Sequence, residues 1–154
     1  MENVLLLFCS MSGNTEAIAD VLEEGLAAEG VEVTKKDVLD VDASILLEYD
    51  AIVIGAYTWG DGELPDEFLD FYEEMENIDL ADKTFGVFGS GDTAYEIFCG
   101  AVDIIEERVK EQGGQIVVDG LKIEYEPVGE DIDLCKAFAK DFVIESKNKN
   151  TISK

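Results

Sequence analysis

Histidine is absent from this chain, which removes every catalytic triad or dyad built on imidazole. Cations are scarce: 11 Lys and Arg stand against 36 Asp and Glu, a formal charge of -25. Nucleic acid backbones and anionic lipid both rely on positive protein charge for their main attraction, so neither is an expected partner. Basic partners are, and their encounter should be fastest at low salt; solubility or a salty habitat would account for the same composition. The three cysteines, Cys9, Cys99 and Cys135, are widely spaced and odd in number. They predict reduced thiols in a cytoplasmic protein, not a disulfide framework or a zinc or iron–sulfur centre. No apolar run approaches the roughly twenty residues of a membrane span. The start Met1-Glu2-Asn3-Val4 lacks a basic n-region, and Val4 to Phe8 is too short for a signal h-region, so no membrane insertion is expected.

What is present is a core. At 154 residues, 47% of them apolar, the chain predicts one domain that folds without disulfide or metal support. Val4 to Cys9 is a continuous apolar run, as in a parallel strand buried on both faces. Ile18, Val21, Leu22 and Leu26 then recur at helical spacing, with Gly30 just beyond. Val31 to Lys35 reads as a more exposed strand and Ala51 to Ala56 as another buried one. Pro65 opens a helix with a predicted inner face of Phe68, Leu69, Tyr72 and Met75. Thr84 to Phe88 is the fourth strand. Phe98, Val102, Ile105 and Val109 mark a helix ended by Gly113 and Gly114. Ile116 to Val118 and Leu121 to Ile123 share the last strand, bent near Gly120. Asp131 is placed to cap a final helix through Leu134, Phe138 and Phe142, and the tail from Lys147 has little to bury. Five strands alternating with helices predict a three-layer α/β sandwich around a parallel sheet.

Three loops follow the apolar strands, at the strand ends where such folds bind ligands. Ser10-Met11-Ser12-Gly13-Asn14-Thr15 offers hydroxyls and helix-start amides without a cation. Amides and the positive dipole end can hold a phosphate there, although an ordinary helix cap would look the same. The lysine and spacing of a Walker A loop are missing, as is the Rossmann fingerprint. Gly89-Ser90-Gly91-Asp92-Thr93-Ala94 does fit G-x-G-x-x-A, but it follows the fourth strand and places Asp92 where a pyrophosphate would be repelled. Trp59, the only tryptophan, sits in Thr58-Trp59-Gly60-Asp61-Gly62, and Tyr95 follows the third loop. If the sheet brings these loops together, the two rings can bracket a flat heterocycle; singly, either could pack over the strand ends.

These residues closely resemble the flavodoxins over essentially the whole chain. Ser10 to Thr15 is similar to the family's FMN phosphate loop. Tyr57 to Gly62 resembles its second loop, and Gly89-Ser90-Gly91-Asp92 with Tyr95, Glu96, Phe98, Cys99 and Gly100 its third. The resemblance implies a flavodoxin-like domain over 1–147, a frayed tail over 148–154, and strand order 2-1-3-4-5. It also implies one noncovalent FMN, bound through Ser10, Met11, Ser12, Gly13, Asn14, Thr15, Thr58, Trp59, Gly60, Asp61, Ser90, Gly91, Asp92, Tyr95, Phe98 and Cys99. Trp59 and Tyr95 would take opposite faces of the isoalloxazine, Tyr95 the more coplanar, and Asp92 would meet the pyrimidine edge chiefly through its backbone. Phe98 and Cys99 would act as packing groups. The last strand runs towards Asp131 without a long insertion, as in short-chain flavodoxins.

The resemblance therefore implies a low-potential one-electron carrier, cycling mainly between semiquinone and hydroquinone. A Gly60 carbonyl turned towards N5 by a peptide flip would stabilise the semiquinone, and glycine makes that flip cheap. Asp61, Glu63, Asp66, Asp92 and Glu96 would oppose the negative charge of the second reduction. The expected partners are redox proteins with basic docking surfaces, met by a monomer. Two other classes compete. An FMN-dependent NAD(P)H:quinone reductase would need an open flavin face, which Trp59 and Tyr95 cover. A phosphoacceptor signalling domain would need an acidic pair after the first strand, where Cys9-Ser10 stands.

Overall fold

The computed structural model describes residues 3–9, 13–57, 64–91, 100–124 and 127–152, the last four without their side chains. Strand β1 (Asn3–Cys9) leads to helix α1 (Asn14–Ala28) and strand β2 (Glu32–Asp37). β3 (Ala51–Tyr57), α2 (Asp66–Glu74), β4 (Thr84–Gly91) and α3 (Gly100–Glu111) follow. The chain closes with β5 (Gln115–Ile116), β6 (Leu121–Glu124) and α4 (Glu130–Ile152). The sheet is parallel in order β2-β1-β3-β4-β5, with β6 also pairing with β4. This is the flavodoxin-like three-layer sandwich that the resemblance implied. Among the described residues no helix is long and apolar enough to cross a membrane.

Alternation along the buried strands divides the core in two. Leu5, Leu7, Ile52, Ile54, Phe85 and Val87 face α2, α3 and the β2–β3 connection. Val4, Leu6, Val53 and Phe88 face α1 and α4. Val4, Leu5, Leu6 and Leu7 are each fully buried, and burying such a side chain contributes roughly 1.5–3 kcal/mol. An exposed ion pair contributes about 0–1 kcal/mol, so apolar packing, not charge pairing, holds this acidic chain together. Glycine permits close approach where layers meet. A Cβ on Gly25 of α1 would lie 3.0 Å from the Ala139 Cβ on α4, and one on Gly55 would lie 2.5 Å from the Phe88 ring.

Several boundaries and faces differ from the sequence expectation. The β2–β3 connection forms two 3₁₀ turns, Val38–Asp40 and Ala43–Glu48, capped by the side chains of Asp37 and Asp42. On α2 the inner residues are Phe68 and Phe71, with Met75 just beyond, whereas Leu69 is exposed. On α4 Leu134 is likewise exposed, and Cys135, Phe138, Ala139 and Phe142 face inward. Asp131 lies in the first turn of α4 and accepts from the Val128 amide upstream, instead of starting the helix. The last strand is two pieces, β5 and β6, separated by residues 117–120. Helix α4 runs through Lys147 as far as Ile152, into the segment expected to have little to bury.

Candidate functional site

The register of the central strands brings their carboxyl ends together. Cys9 at the end of β1 lies opposite Ala56, and Tyr57 at the end of β3 lies opposite Ser90 on β4. Neighbouring strands are about 4.8 Å apart, so the three loop stems span roughly 10 Å at one edge of the sheet. Gly13 then turns the chain into α1 with φ 91°, a left-handed conformation that glycine adopts without strain. As the residue capping α1 it has no side chain to accept from the first-turn amides, and its carbonyl takes the Ala17 amide at 2.9 Å.

Two side-chain contacts tie these stems together. Thr15 is fully buried and its Oγ1 lies 2.7 Å from Ser90 Oγ, joining the first turn of α1 to the end of β4. The Tyr57 hydroxyl donates to Glu67 Oε2 at 2.6 Å, joining the end of β3 to the first turn of α2. Burial pushes the Tyr57 phenol up, and the bond to Glu67 adds to that. The same bond holds the Glu67 carboxyl below its usual range. The Cys9 thiol is pushed up to about 12, first by burial and then by the negative charges of Glu67 and Asp37. At neutral pH this edge therefore presents a neutral thiol, a neutral phenol and an ionised carboxylate. The described ion pairs involve Lys35, Arg108 and Lys122, and none of them includes the ends of β1, β3 or β4.

Of the residues singled out in the sequence, Gly13, Asn14, Thr15, Ser90 and Gly91 are brought to this edge. Ser10, Met11, Ser12, Thr58, Trp59, Gly60, Asp61, Asp92, Tyr95, Phe98 and Cys99 lie outside the described residues. Sequence reasoning did not anticipate the role of Glu67, which is a surface carboxylate on α2 until β3 delivers Tyr57 to it. Nor did it foresee the Thr15–Ser90 contact, whose partners stand 75 residues apart. Among the described residues no group of acidic or thiol side chains could hold a metal ion.

Fold and strand register together define a doubly wound α/β protein in which the carboxyl ends of β1, β3 and β4 lie side by side. The sequence profile of the flavodoxin family matches residues 6–138. The probable flavodoxin 2 of Bacillus subtilis is 51% identical over 147 residues, which cover 95% of this chain and 97% of that protein. The crystal structure of oxidised flavodoxin 2 from Bacillus cereus superposes with a TM-score of 0.90 at 52% identity, covering 93% of this chain and 99% of that one. A short-chain flavodoxin associated with a non-canonical PDU bacterial microcompartment also gives 0.90, at 33% identity over 95% of this chain and 99% of its own. The chain belongs to the flavodoxin family, in its short-chain form. It is accordingly an electron carrier and not an enzyme with a substrate of its own.

Proposed function

We propose that this chain holds one noncovalent FMN across the carboxyl ends of β1, β3 and β4, and serves as a low-potential one-electron carrier between redox proteins. The observation that carries the reading is the buried Thr15–Ser90 contact, which locks the start of α1 against the end of β4. A glycine-capped helix start beside buried hydroxyls suits a phosphate, because the capping residue has no side chain of its own to take the first-turn amides. Ser10, Met11, Ser12, Gly13, Asn14 and Thr15 would hold that phosphate. Thr58, Trp59, Gly60 and Asp61 on one loop, and Ser90, Gly91, Asp92 and Tyr95 on the other, would hold the ring, with Phe98 and Cys99 packed behind.

FMN when bound supplies two one-electron couples, and the protein sets their potentials and exposure. The chain's own contribution is electrostatic. Asp66 and Glu67 open α2 beside the β3 stem, and Asp61, Glu63, Asp92 and Glu96 flank the loops in sequence. Placing further negative charge among these groups is unfavourable, which lowers the second couple and makes it the working one. The Gly60 carbonyl would accept a hydrogen bond from a ring N–H of bound FMN, glycine easing the peptide rotation that turns it there. Acidic groups around the exposed edge dock basic surfaces of donor and acceptor proteins transiently, with rates falling as salt rises. The buried, unpaired thiols of Cys9 and Cys135 are compatible with a reducing cytoplasm.

The test is a visible spectrum after FMN addition and gel filtration, followed through stepwise anaerobic reduction. Retained flavin with a long-wavelength band rising and then falling would support the carrier. A protein that leaves the column colourless would refute the assignment of these loops. Rapid bleaching by NAD(P)H alone would point to a reductase instead.

A further inference from the structure

The two edges of the sheet are finished differently. On β2, Lys35 and Lys36 stand on the edge strand, and Lys35 pairs with Asp20 and Glu23 of α1. Charged edges of this kind discourage the addition of another strand. On the opposite edge Ile116, Val117 and Val118 form an uncharged, β-branched, half-buried run, the composition that favours strand pairing. Among the described residues the sheet ends there, with no strand paired outside β5.

This edge lines an open cleft of about 850 Å³ between α3 and α4. Glu106 and Lys110 stand on the α3 wall, Asp141 and Glu145 on the α4 wall, and Asp119 on the turn between β5 and β6. Leu134 and Phe138 supply apolar surface beside them. Four carboxylates therefore face the cleft against one lysine.

We propose that the cleft docks an extended basic segment of a partner protein, which adds to the β5 edge and sets its Lys or Arg side chains against both walls. Successive side chains of a strand point to opposite faces. α3 and α4 cover opposite faces of the sheet, and each brings a carboxylate to the cleft, so a continuous basic tract matches both. Main-chain bonds to the edge provide affinity and the walls provide selection. A second copy of this chain is the poorer occupant, because each copy carries a charge of -25. The cleft opens along the lateral edge, so its occupation leaves the loop-bearing end of the sheet accessible, and the proposal stands without any bound FMN. Burial, followed by repulsion from Asp103, raises the Glu106 carboxyl, while Lys110 and Lys122 oppose the rise and Asp119 adds to it. An incoming cation relieves that cost. Binding should therefore weaken as acid protonates Glu106.

The probe is a blocked oligo-arginine peptide, compared with a backbone N-methylated version of equal charge, added to the full chain with and without FMN at physiological salt. Amide resonances of residues 115–120 are expected to shift with the unmodified peptide, and N-methylation to weaken binding roughly tenfold, the equivalent of one or two lost hydrogen bonds. The charge reversals Asp141→Lys and Glu145→Lys together should also cost roughly tenfold, while Glu24→Lys with Glu48→Lys, neither of which lines the cleft, should cost less than about twofold. Asp141→Asn with Glu145→Gln reports the same loss in milder form should the reversal perturb folding. Equal affinity for both peptides, equal losses from both pairs of reversals, or shifts centred on residues 13–15 and 90–91 would each overturn the proposal. So would a dimer that forms at high salt through this edge without binding the peptide.

Discussion

Replacing Thr15 by valine should destabilise the protein by about 1–3 kcal/mol, the cost of leaving a buried hydroxyl without its partner. Thr15 is fully buried and Ser90 is 2% exposed, so water has little access to either oxygen of the 2.7 Å contact. Valine keeps the branched shape, which leaves the lost hydroxyl, not a cavity, as the main effect. For a chain of this length each kcal/mol corresponds to roughly 2–4 °C in melting temperature. Ser90→Ala removes the other half and should cost a similar amount. The double variant removes both hydroxyls together, so its loss should fall short of the sum of the single losses by about 0.5–1.5 kcal/mol. Urea unfolding of the flavin-free protein measures all three against the parent. Additive losses, or single variants within about 0.5 kcal/mol of the parent, would refute a coupled pair. If the proposed FMN site is right, both single variants should also release flavin more readily, since each loosens α1 from β4.

Gly55→Ala should cost about 1–3 kcal/mol by overpacking, because its Cβ would sit 2.5 Å from the buried Phe88 ring; a parental urea midpoint would show that the ring can move aside. Cys9 makes the protein sensitive to alkali. Its folded-state thiol is pushed up to about 12, so the unfolded chain ionises first and stability falls as pH rises from the ordinary thiol range to that value. Cys9→Ala should flatten this decline in stability measured against pH, and an unchanged slope would contradict it. Gly60→Ala should lower the fraction of one-electron-reduced flavin at half reduction, and equal fractions in anaerobic titrations of both proteins would remove the role given to Gly60.

The elements were legible where burial is dictated from both sides. Val4 to Leu7 has apolar residues at every position, the pattern of a strand covered on both faces. Helix faces were harder. Phe68, Leu69, Phe71 and Tyr72 allow more than one apolar stripe, and the position of α2 on the sheet selects Phe68 and Phe71 and leaves Leu69 in solvent. The same choice on α4 turns Leu134 outward and Cys135 inward. Periodicity specifies the spacing of a stripe, whereas its phase is set by what the helix lies against.

The chain by itself determined the α/β alternation, the two-sided burial of the central strands, the glycine that starts α1 and the negative charge, since each follows from local composition and spacing. Only the tertiary structure decided that Ser90 meets Thr15, that Glu67 receives the Tyr57 hydroxyl, and that the uncharged run Ile116 to Val118 lines a cleft to which both α3 and α4 bring carboxylates. Those relations depend on strand order and register, which bring distant segments to one edge of the sheet and cannot be read from spacing along the chain.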